Sequence, residues 1–338
     1  MPKKIFKFIG YLILALLVIA GLGLAWLTLR TPAMQPASSK KVAMTPERIA
    51  RGQYIFESVA DCGGCHSQRD FTRFGGPEIP SGLGRGTILS DLVPDLPGIV
   101  VAANITRDVE TGIGSWTDGE KIRAIRDGVS RDGRALFPMM PYAGYSHLSD
   151  DDVQSLVAYL DSLPPIHNPL PKTSLKFPVN LLIKGVPKPA GSVPTFTSTD
   201  PVKLGEYHAT VSGCGDCHTP TDKQGQPLPG KLLAGGRVFA TPMGTVVASN
   251  ITPDNNTGIG LWSEEFFLKR FAAYQPYADP TSSSPAAPVL TGPQSFTLMP
   301  WLGFSKRKPE ELAAIYAYLR TIPPVTNKIT PHPAASPH

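Results

Sequence analysis

The 338-residue chain contains four cysteines, which form two pairs of identical spacing, and a histidine follows each pair directly. The two groups are Cys62-Gly63-Gly64-Cys65-His66 and Cys214-Gly215-Asp216-Cys217-His218. Two thiols at positions i and i+3 can add to the two vinyl groups on one porphyrin edge, and the histidine can supply an axial nitrogen to the iron. C-x-x-C-H is the attachment sequence of c-type haem. The sequence therefore predicts two covalently bound haem c groups, one on each motif.

Three other kinds of cysteine site compete with this prediction. A thioredoxin-like C-x-x-C motif requires neither the following histidine nor a second copy. A zinc site made from all four cysteines conflicts with their spacing, because 148 residues lie between the pairs, whereas zinc ribbons separate theirs by about 15–20. A disulfide within each motif would be sterically poor and would leave the histidine unexplained. Haem attachment is the interpretation that uses every residue of both motifs.

An iron that carries electrons in a low-spin state needs a second axial ligand, which methionine or histidine supplies in cytochromes. Met140 and Met299 occupy equivalent places after the two motifs, and each precedes a proline and an aromatic residue. Met139 has Leu298 as its counterpart, so it lacks this symmetry. The rival histidines, which have no counterpart in the other half, are His147, His167, His208 and His332. We therefore expect His66 with Met140, and His218 with Met299, as the iron ligands.

The elements that position these residues form a tandem repeat. Landmarks recur in the same order at offsets of 146 to 159 residues, so loop lengths vary while the unit is kept. The paired landmarks are Arg51-Gly52-Gln53-Tyr54 with Leu204-Gly205-Glu206-Tyr207, Asn104-Ile105-Thr106 with Asn250-Ile251-Thr252, Thr111-Gly112-Ile113-Gly114 with Thr257-Gly258-Ile259-Gly260, Ala158-Tyr159-Leu160 with Ala317-Tyr318-Leu319, and Pro164-Pro165 with Pro323-Pro324. A solenoid would need more and shorter repeats. The pattern predicts one domain used twice.

Helix signals open and close each unit. Thr45-Pro46 and Asp200-Pro201 have the form of an N-cap followed by proline at the first helical position. The closing helices carry apolar stripes with i, i+3, i+4, i+7 spacing, at Val153, Leu156, Val157 and Leu160 and at Leu312, Ile315, Tyr316 and Leu319. A middle helix begins with the capping box Thr117–Glu120 in the first unit and with Ser263 in the second. Strand signals are weak, at 99–103 and 245–249, so we predict a mainly α fold.

An uncharged stretch of 22 residues, Phe8 to Leu29, lies near the N-terminus. A spanning helix needs about 20 apolar residues, and a signal-peptide core has about 7–15. No small-x-small cleavage site follows directly, so we expect a retained transmembrane anchor. Lysines and arginines flank it almost evenly, which leaves the positive-inside rule undecided. Haem c is attached on the outer face of the bacterial inner membrane, which predicts a single-pass protein with a cytoplasmic N-terminus and periplasmic haem domains.

The predicted domain organisation follows from the anchor, the repeat and the prolines. The segment 164–200 contains eight prolines, which favours a semi-rigid spacer, and its apolar part, 175–186, is suited to packing on a domain. The divisions are 1–30 for the cytoplasmic tip and anchor, 31–44 for a linker, 45–165 for the first domain, 166–199 for the connector, 200–326 for the second domain and 327–338 for a flexible tail.

The charge distribution argues against a nucleic-acid partner. The formal net charge is +5, but six cations and no acidic residue precede residue 47. These cations are Lys3, Lys4, Lys7, Arg30, Lys40 and Lys41. The remainder therefore has a net charge of about −1, which offers no basic excess to neutralise a phosphate backbone.

The landmarks together resemble a known family. The chain is similar to the membrane-bound cytochrome c subunits of bacterial alcohol, aldehyde and gluconate dehydrogenases. The similarity lies in Asn104-Ile105-Thr106, in the segment from Thr111 to Trp116, in Met140-Pro141-Tyr142 and, more fully, in the segment from Asn250 to Trp262. The resemblance covers nearly all of 45–326. It implies two tandem class I cytochrome c-like domains, each with haem held between the terminal helices and a methionine-bearing loop. The alcohol dehydrogenase subunits have three haem domains, whereas this chain has two motifs.

The resemblance also implies a function. It predicts a membrane-anchored dihaem cytochrome that passes single electrons from a periplasmic dehydrogenase of quinoprotein, flavoprotein or molybdenum type to ubiquinone, another cytochrome or an oxidase. The substrate chemistry would belong to the partner, so the chain itself would not be an enzyme. Two alternatives are a dihaem enzyme such as a peroxidase, which would need an open or displaceable iron site, and a cytochrome c subunit of a terminal oxidase. The symmetric methionines disfavour the peroxidase.

Several residues near the motifs carry expectations of their own. Gly52 and Gly205 would let the closing helices, with Tyr159 and Tyr318, approach closely because glycine lacks Cβ. The backbone carbonyls of Pro80 and Pro229, in the loops after the motifs, are the expected acceptors for the second ring nitrogen of each histidine. Trp116 and Trp262 would either donate to a haem propionate or pack in the core.

The second unit carries an insertion before its methionine. From Trp262 to Met299 is 37 residues, against 24 from Trp116 to Met140. The extra residues are rich in proline, serine and alanine and cannot bury much apolar surface of their own. Loops on a rigid scaffold commonly bind partners. We therefore expect 275–297 to be a partner-facing loop, with a neutral surface insertion as the alternative.

Overall fold

The computed structural model describes residues 2–222, 225–278 and 285–333, and its architecture is mainly helical. Helix α1 (Pro2–Leu29) is, among the described residues, the one helix long and apolar enough to cross a membrane, with a mean hydropathy of 2.6 over its best window. None of that window is buried against the rest of the chain. Its apolar side chains are exposed on every face, so the helix is not amphipathic.

The first half of the chain is a helical unit around one core. Opening helix α2 begins after Thr45, whose hydroxyl accepts from the Arg48 amide as the N-cap prediction requires, and it packs against closing helix α7. A π-helical turn, Ile55–Val59, continues α2 toward the first cysteine motif. The helices are α2 (Pro46–Tyr54), α3 (Cys62–His66), α4 (Leu89–Leu92), α5 (Asp118–Asp127), α6 (Tyr142–Tyr145) and α7 (Asp150–Ser162). The strands are β1 (Thr87–Ile88), β2 (Gly98–Ile99) and β3 (Val101–Ala102), with β1 antiparallel to β3.

The second half repeats this arrangement around a second core. Asp200 caps opening helix α9 by accepting from the Val202 amide, and Ser263 caps the middle helix by accepting from Phe266. The helices are α9 (Pro201–Val211), α10 (Cys214–His218), α11 (Glu264–Ala272), α12 (Trp301–Phe304) and α13 (Pro309–Leu319). An antiparallel hairpin, β5 (Val238–Thr241) with β6 (Gly244–Val247), is longer than the weak strand signal indicated.

The apolar stripes predicted for the closing helices face the two cores. Val153, Leu156, Val157 and Leu160 of α7 are all buried, and so are Leu312, Ile315 and Leu319 of α13, while Tyr316 is partly buried. Both hydrogen bonds of the capping box are present at the start of α5: the Thr117 hydroxyl accepts from the Glu120 amide, and the Glu120 carboxylate accepts from the Thr117 amide. Local sequence patterns therefore predicted the helices that build each unit.

Opening and closing helices touch at a glycine in each unit. A Cβ on Gly52 would overlap the carbonyl of Ser155 and lie 2.7 Å from the Cβ of Tyr159. A Cβ on Gly205 would overlap the carbonyl of Ala314 and lie 2.8 Å from the Cβ of Tyr318. The two backbones meet only because neither glycine has a side chain, as predicted.

The proline-rich connector runs along the first half. Strand β4 (Ser174–Leu175) pairs with β2, and helix α8 (Val179–Leu182) follows, continued by a 3₁₀ turn, Ile183–Gly185. Farther on, the Asp150 amide donates to the carbonyl of Val193 over 2.8 Å. The end of α1 joins this packing, because Arg30 donates to the carbonyls of Leu181 and Leu182.

The described part of the insertion hydrogen-bonds to the first half of the chain, a role that the expectation of a partner-facing loop did not include. The Phe74 amide donates to Pro288 O over 2.7 Å, and the Leu290 amide donates to Thr72 O over 2.8 Å. The Arg73 guanidinium donates to a third carbonyl, that of Ala287. The extended chain here satisfies its amides on a neighbouring segment, an option that composition does not reveal. Residues 279–284, which include the whole serine run at 282–284, lie outside the described residues.

The first residues of the expected flexible tail also hydrogen-bond to the second half. The Asn327 amide donates to the Thr257 hydroxyl and its side chain donates to Ala234 O, and the Val247 amide donates to Pro331 O. These contacts continue the closing segment past residue 326. Residues 334–338 lie outside the described residues.

Candidate haem-binding sites

Each C-x-x-C-H motif forms a one-turn helix that begins from a left-handed backbone position. Asp61 has φ 46° and Gly213 has φ 66°, directly before α3 and α10. Among the described residues all four cysteines are free thiols, so no disulfide forms within or between the motifs. Burial raises the pKa of Cys62, and that of Cys214 to about 11. Redox-active thiols have a lowered pKa, so these sites do not resemble a thioredoxin centre.

The histidine rings are oriented by backbone carbonyls. His66 Nδ1 lies 2.7 Å from Ala103 O, and His218 Nδ1 lies 2.7 Å from Ser249 O. A carbonyl only accepts, so each Nδ1 carries the proton and each Nε2 keeps its lone pair. Burial lowers the pKa of both imidazoles, which favours the neutral, metal-binding form. An outer carbonyl that fixes the tautomer is typical of ligating histidines.

The predicted acceptors, Pro80 and Pro229, are therefore wrong. The accepting residue stands immediately before Asn-Ile-Thr in both halves, 37 residues after His66 and 31 after His218. The loop that follows each motif binds the histidine backbone, through the Gly86 amide to His66 O and the Gly235 amide to His218 O. The carbonyl that accepts from the ring comes only after β3 or β6. The recurrence of Asn-Ile-Thr was the signal that could have identified this position.

Asn104 holds that returning chain in place. Its amide Nδ2 donates to the Thr111 hydroxyl over 3.1 Å and to the Ile166 carbonyl over 2.7 Å, and its Oδ1 accepts from the amide and hydroxyl of Thr106. Asn104 is 2% exposed and Thr106 is fully buried. A buried polar group with every hydrogen bond made fixes a single geometry. Asn104 thereby fixes the position of the neighbouring Ala103 carbonyl.

The second half repeats this network atom for atom. Asn250 Nδ2 donates to the Thr257 hydroxyl and to the Val325 carbonyl, at the same 3.1 and 2.7 Å, and its Oδ1 accepts from Thr252. In both halves the second acceptor lies just after the closing helix. The motif therefore ties the histidine-holding carbonyl to the end of the domain.

Each expected methionine lies against the same core as the first cysteine of its motif. Met140 and Cys62 are partly buried against the first core, and Met299 and Cys214 against the second. A short helix begins two residues after each methionine, and its first amide donates back to the methionine carbonyl over 2.8 Å in the first half and 2.7 Å in the second. The donor set of two thiols, one oriented imidazole and one thioether on a shared apolar core suits covalent haem c at both motifs.

The remaining candidates lie elsewhere. His147 is exposed, and His167 faces Asp108 and Glu110 at 3.7 and 3.8 Å. His208 is 5% exposed, and burial, followed by the Arg307 and Arg51 guanidinium groups, lowers its pKa to about 3. Among the described residues no three His, Cys, Asp or Glu side chains cluster as a metal site.

The two tryptophans pack on the cores. Trp116 is partly buried against the first core and Trp262 against the second. Trp262 also meets Phe266 edge to face at 4.9 Å, and its carbonyl accepts from the Tyr316 hydroxyl. This placement agrees with the core alternative of the prediction.

The comparisons with known proteins agree with this geometry. The model of the family described as Cytochrome c matches residues 49–164, which include the first motif. A protein named "Diheme cytochrome c-type" from Cereibacter sphaeroides is 33% identical over 252 residues, which cover 71% of this chain and 78% of that protein.

Subunits of dehydrogenases are similar as well. The cytochrome subunit of fructose dehydrogenase from Gluconobacter japonicus is 30% identical over 300 residues, 86% of this chain and 55% of its own length. The gluconate 2-dehydrogenase cytochrome c subunit of Pantoea cypripedii is 31% identical over 243 residues, 67% of this chain and 51% of its own length. The chain thus spans about half the length of these relatives. The resemblance to cytochrome c subunits of dehydrogenases is confirmed.

Proposed function

The chain belongs to the cytochrome c family, and from this premise we propose that it is a membrane-anchored electron-transfer protein with two tandem class I cytochrome c-like domains and two haem groups. The observation that carries the proposal is the duplication of the whole site. Both C-x-x-C-H motifs have an imidazole bound at Nδ1 to a carbonyl, at 2.7 Å in each case. A single site of this kind could be incidental, whereas two with the same supporting network imply the same chemistry twice.

The residues of each site have defined tasks. Cys62 and Cys65 would attach one haem, and Cys214 and Cys217 the other. When bound, each haem would supply one-electron Fe(III)/Fe(II) chemistry. The iron donors would be the Nε2 atoms of His66 and His218 and the thioethers of Met140 and Met299. Ligation by methionine would raise the potential and would occupy the position that a peroxidase keeps open, which suits a carrier better than a peroxidase.

The membrane location is supported by surfaces around α1. The Lys184 ammonium donates to the carbonyl of Thr28 over 2.6 Å, so the connector lies against the end of the anchor. Phe177 is 71% exposed and Leu182 is 51% exposed beside this contact. Apolar side chains next to a spanning helix, with lysines that reach along them, are suited to a membrane interface. We place the haem domains on the periplasmic face of the bacterial inner membrane.

The partners follow from the relatives. We propose that a periplasmic dehydrogenase of quinoprotein, flavoprotein or molybdenum type donates electrons, because the relatives are subunits of fructose, alcohol and gluconate dehydrogenases. A quinone, another cytochrome or an oxidase would accept them. Two haems allow the two electrons of one substrate oxidation to leave sequentially.

The test counts the covalent haems on each chain, first in the wild type and then in variants that disable one motif at a time. The full chain, expressed with the haem c attachment machinery, should carry two covalent haems by mass and by pyridine haemochrome absorbance. Cys65→Ala and Cys217→Ala should each lower the covalent haem count to one. A wild type with one haem, or with none, would refute the dihaem proposal. Appreciable peroxide turnover by the intact protein would favour the peroxidase alternative instead.

A further inference from the structure

The two halves of the chain contact each other close to the two motifs. In each half the short helix that follows the methionine, α6 or α12, packs against the segment that leads into the motif of the other half. A Cβ on Gly144, in α6, would lie 2.6 Å from Thr210 O near the end of α9. A Cβ on Gly303, in α12, would lie 2.7 Å from Glu57 O in the turn before the first motif. The interface is thus nearly two-fold in its backbone contacts.

One position breaks this symmetry. Eight residues after Met140 stands Leu148, which is fully buried in the first core, and eight residues after Met299 stands Arg307, which is only 3% exposed. The second half therefore carries a guanidinium where the first carries an apolar side chain. A charge is kept at such a buried place only if its surroundings satisfy it.

The Arg307 guanidinium joins the chain segments that lead into the two motifs. Its Nε donates to Ser58 O over 3.0 Å, and its Nη2 donates to Val59 O and to the Ser212 hydroxyl. The Ser212 hydroxyl in turn donates to Val59 O over 2.9 Å. Two residues beyond Ser212 is Cys214, whose thiol interacts electrostatically with Arg307.

The hydrogen-bond acceptors of Arg307 are neutral, so its positive charge is not cancelled by contact. Nη1 has no hydrogen-bond partner among the described residues. Glu311 attracts Arg307 from beyond ion-pair distance, while its own carboxylate accepts from the Tyr54 hydroxyl over 2.7 Å. Guanidinium keeps its proton in proteins, so a buried cation stands beside the second motif.

Carboxylate side chains, rather than a guanidinium group, pack against the glycines of the first motif. A Cβ on Gly63 would overlap the Glu78 carboxylate, and a Cβ on Gly64 would overlap that of Asp61. Arg69 compensates part of this charge and donates to Gly64 O over 3.0 Å. Burial raises the pKa of Glu78, and that of Asp61 to about 7, so the Asp61 carboxylate is ionised in mildly alkaline solution.

The charged side chains beside the second motif are less negative in sum than those beside the first. The residue that corresponds to Asp61 is Gly213, and a Cβ on Gly215 would have only Thr219 near it, at 3.8 Å. The carboxylate here is Asp216, and Arg237 donates to its backbone carbonyl. Beside the first motif, Asp61 and Glu78 outnumber Arg69, and Lys306 is paired with Glu57 over 2.9 Å. Beside the second, the Arg237 and Arg307 guanidinium groups face the carboxylates of Asp216 and of the more distant Glu311. The surroundings of the first motif are therefore the more negative of the two.

A nearby positive charge disfavours Fe(III) relative to Fe(II), and a negative charge favours it, by Coulomb's law in a medium of low dielectric constant. Resting on the dihaem function proposed above, we propose that the second site has the higher reduction potential and that Arg307 is its main cause. One electron then passes downhill inside the chain, from the iron held by His66, which is oxidised, to the iron held by His218, which is reduced. Arg307 is a positioning residue, because it acts on the iron through its charge without touching it.

The experiment is a redox titration of the full-length holoprotein in detergent at pH 8, followed by visible absorbance. Met140→Ala assigns the couples, because the sulfur–iron band that remains belongs to the second site. In the wild type the second site should be reduced first. Arg307→Met, which removes the charge but keeps the length, should lower the reduced-to-oxidised ratio of that couple at least threefold at a fixed potential. This is about 28 mV, because tenfold is 59 mV for one electron.

Two further variants separate charge from packing. Arg307→Lys keeps the charge and should retain most of the potential, while Arg320→Met, which removes an exposed charge of the same half, should leave both couples unchanged. Should Arg307→Met fail to fold, Glu78→Gln should raise the first couple alone. Reversed order of the couples, or equal shifts in both from Arg307→Met, would overturn the inference. A protein without two low-spin haems would instead contradict the proposed function.

Discussion

The imidazoles of His66 and His218 each donate one ring N–H to a backbone carbonyl. This single hydrogen bond determines which ring nitrogen is left to bind an iron. Because a carbonyl cannot donate, Nδ1 is protonated and Nε2 is the remaining donor to a metal. The ring is held before any metal arrives, which lowers the entropy lost on binding. The methionine that packs on each core is the next residue to test, since a low-spin iron would need a second protein ligand besides the imidazole.

We predict that Met140→Ala and Met299→Ala each remove one of two methionine–iron signals. Loss of the thioether leaves no second methionine on the same core among the described residues, because Met140 and Met299 pack on different cores. Far-red absorbance of the sulfur–iron band or paramagnetic NMR would report the change. Met139→Ala is the matched control and should keep both signals. Two intact signals in either ligand variant would contradict the assignment.

We predict that His208 makes the fold sensitive to acid. Its pKa is about 3 in the folded chain because of burial, then of the Arg307 and Arg51 guanidinium groups, which outweigh the attraction of Asp152. The unfolded chain, with a histidine pKa of about 6.5, binds a proton that the folded chain rejects. Stability should therefore fall as pH drops from 6.5 toward 3, by up to about 1.4 kcal/mol per pH unit.

The measurement is thermal unfolding in detergent at pH 7, 6 and 5, followed by far-UV circular dichroism. His208→Gln removes the titrating ring and should flatten the decline in melting temperature between pH 7 and 5. Comparison at pH 7, where the ring is neutral in both states, gives the effect of the substitution itself. An equally steep decline in the variant would assign the acid sensitivity to other groups.

The opening and closing helices of each unit contact each other at a glycine, where no space is left for a side chain. We predict that Gly52→Ala and Gly205→Ala each destabilise their half, because the new methyl group would overlap the backbone carbonyl of Ser155 or Ala314. Overpacking of this kind costs about 1–3 kcal/mol. Gly215→Ala, with its nearest neighbour at 3.8 Å, is the control and should be tolerated. Wild-type melting temperatures for the first two variants would show that the helices separate at little cost.

At the scale of the whole molecule, the insertion before Met299 bridges the halves. We predict that removal of 279–291, which gives the second unit the loop length of the first, lowers the unfolding temperature by several degrees and leaves the visible spectrum unchanged. The deletion removes backbone hydrogen bonds to Thr72 and Phe74 and the Arg73 contact, each worth about 1 kcal/mol. Limited proteolysis at 70–76 should become faster. Arg73→Ala, which removes only the side-chain contact, should have a smaller effect, and unchanged melting after the deletion would exclude a bridging role.

The sequence by itself determined the local chemistry and the helices that carry it. A C-x-x-C-H motif, an N-cap such as Thr45 and an apolar stripe such as Val153 to Leu160 are set by residues a few positions apart, where backbone geometry alone decides what can meet. The tandem repeat extended these conclusions from one half to the other, so that Met140 could be singled out from Met139. Even the glycine contacts were predictable, because two equivalent glycines in helices indicate a close approach.

Only the tertiary structure decided which distant groups meet those residues. The carbonyl that holds His66 is 37 positions away, and Ser58 lies 249 positions from the Arg307 that binds it. The insertion likewise pairs with a segment more than 200 residues earlier. Such contacts depend on how two whole domains and their loops pack, since the chain between the partners can take many paths of similar local free energy. The charge asymmetry between the two sites therefore became visible only once both halves had been assembled.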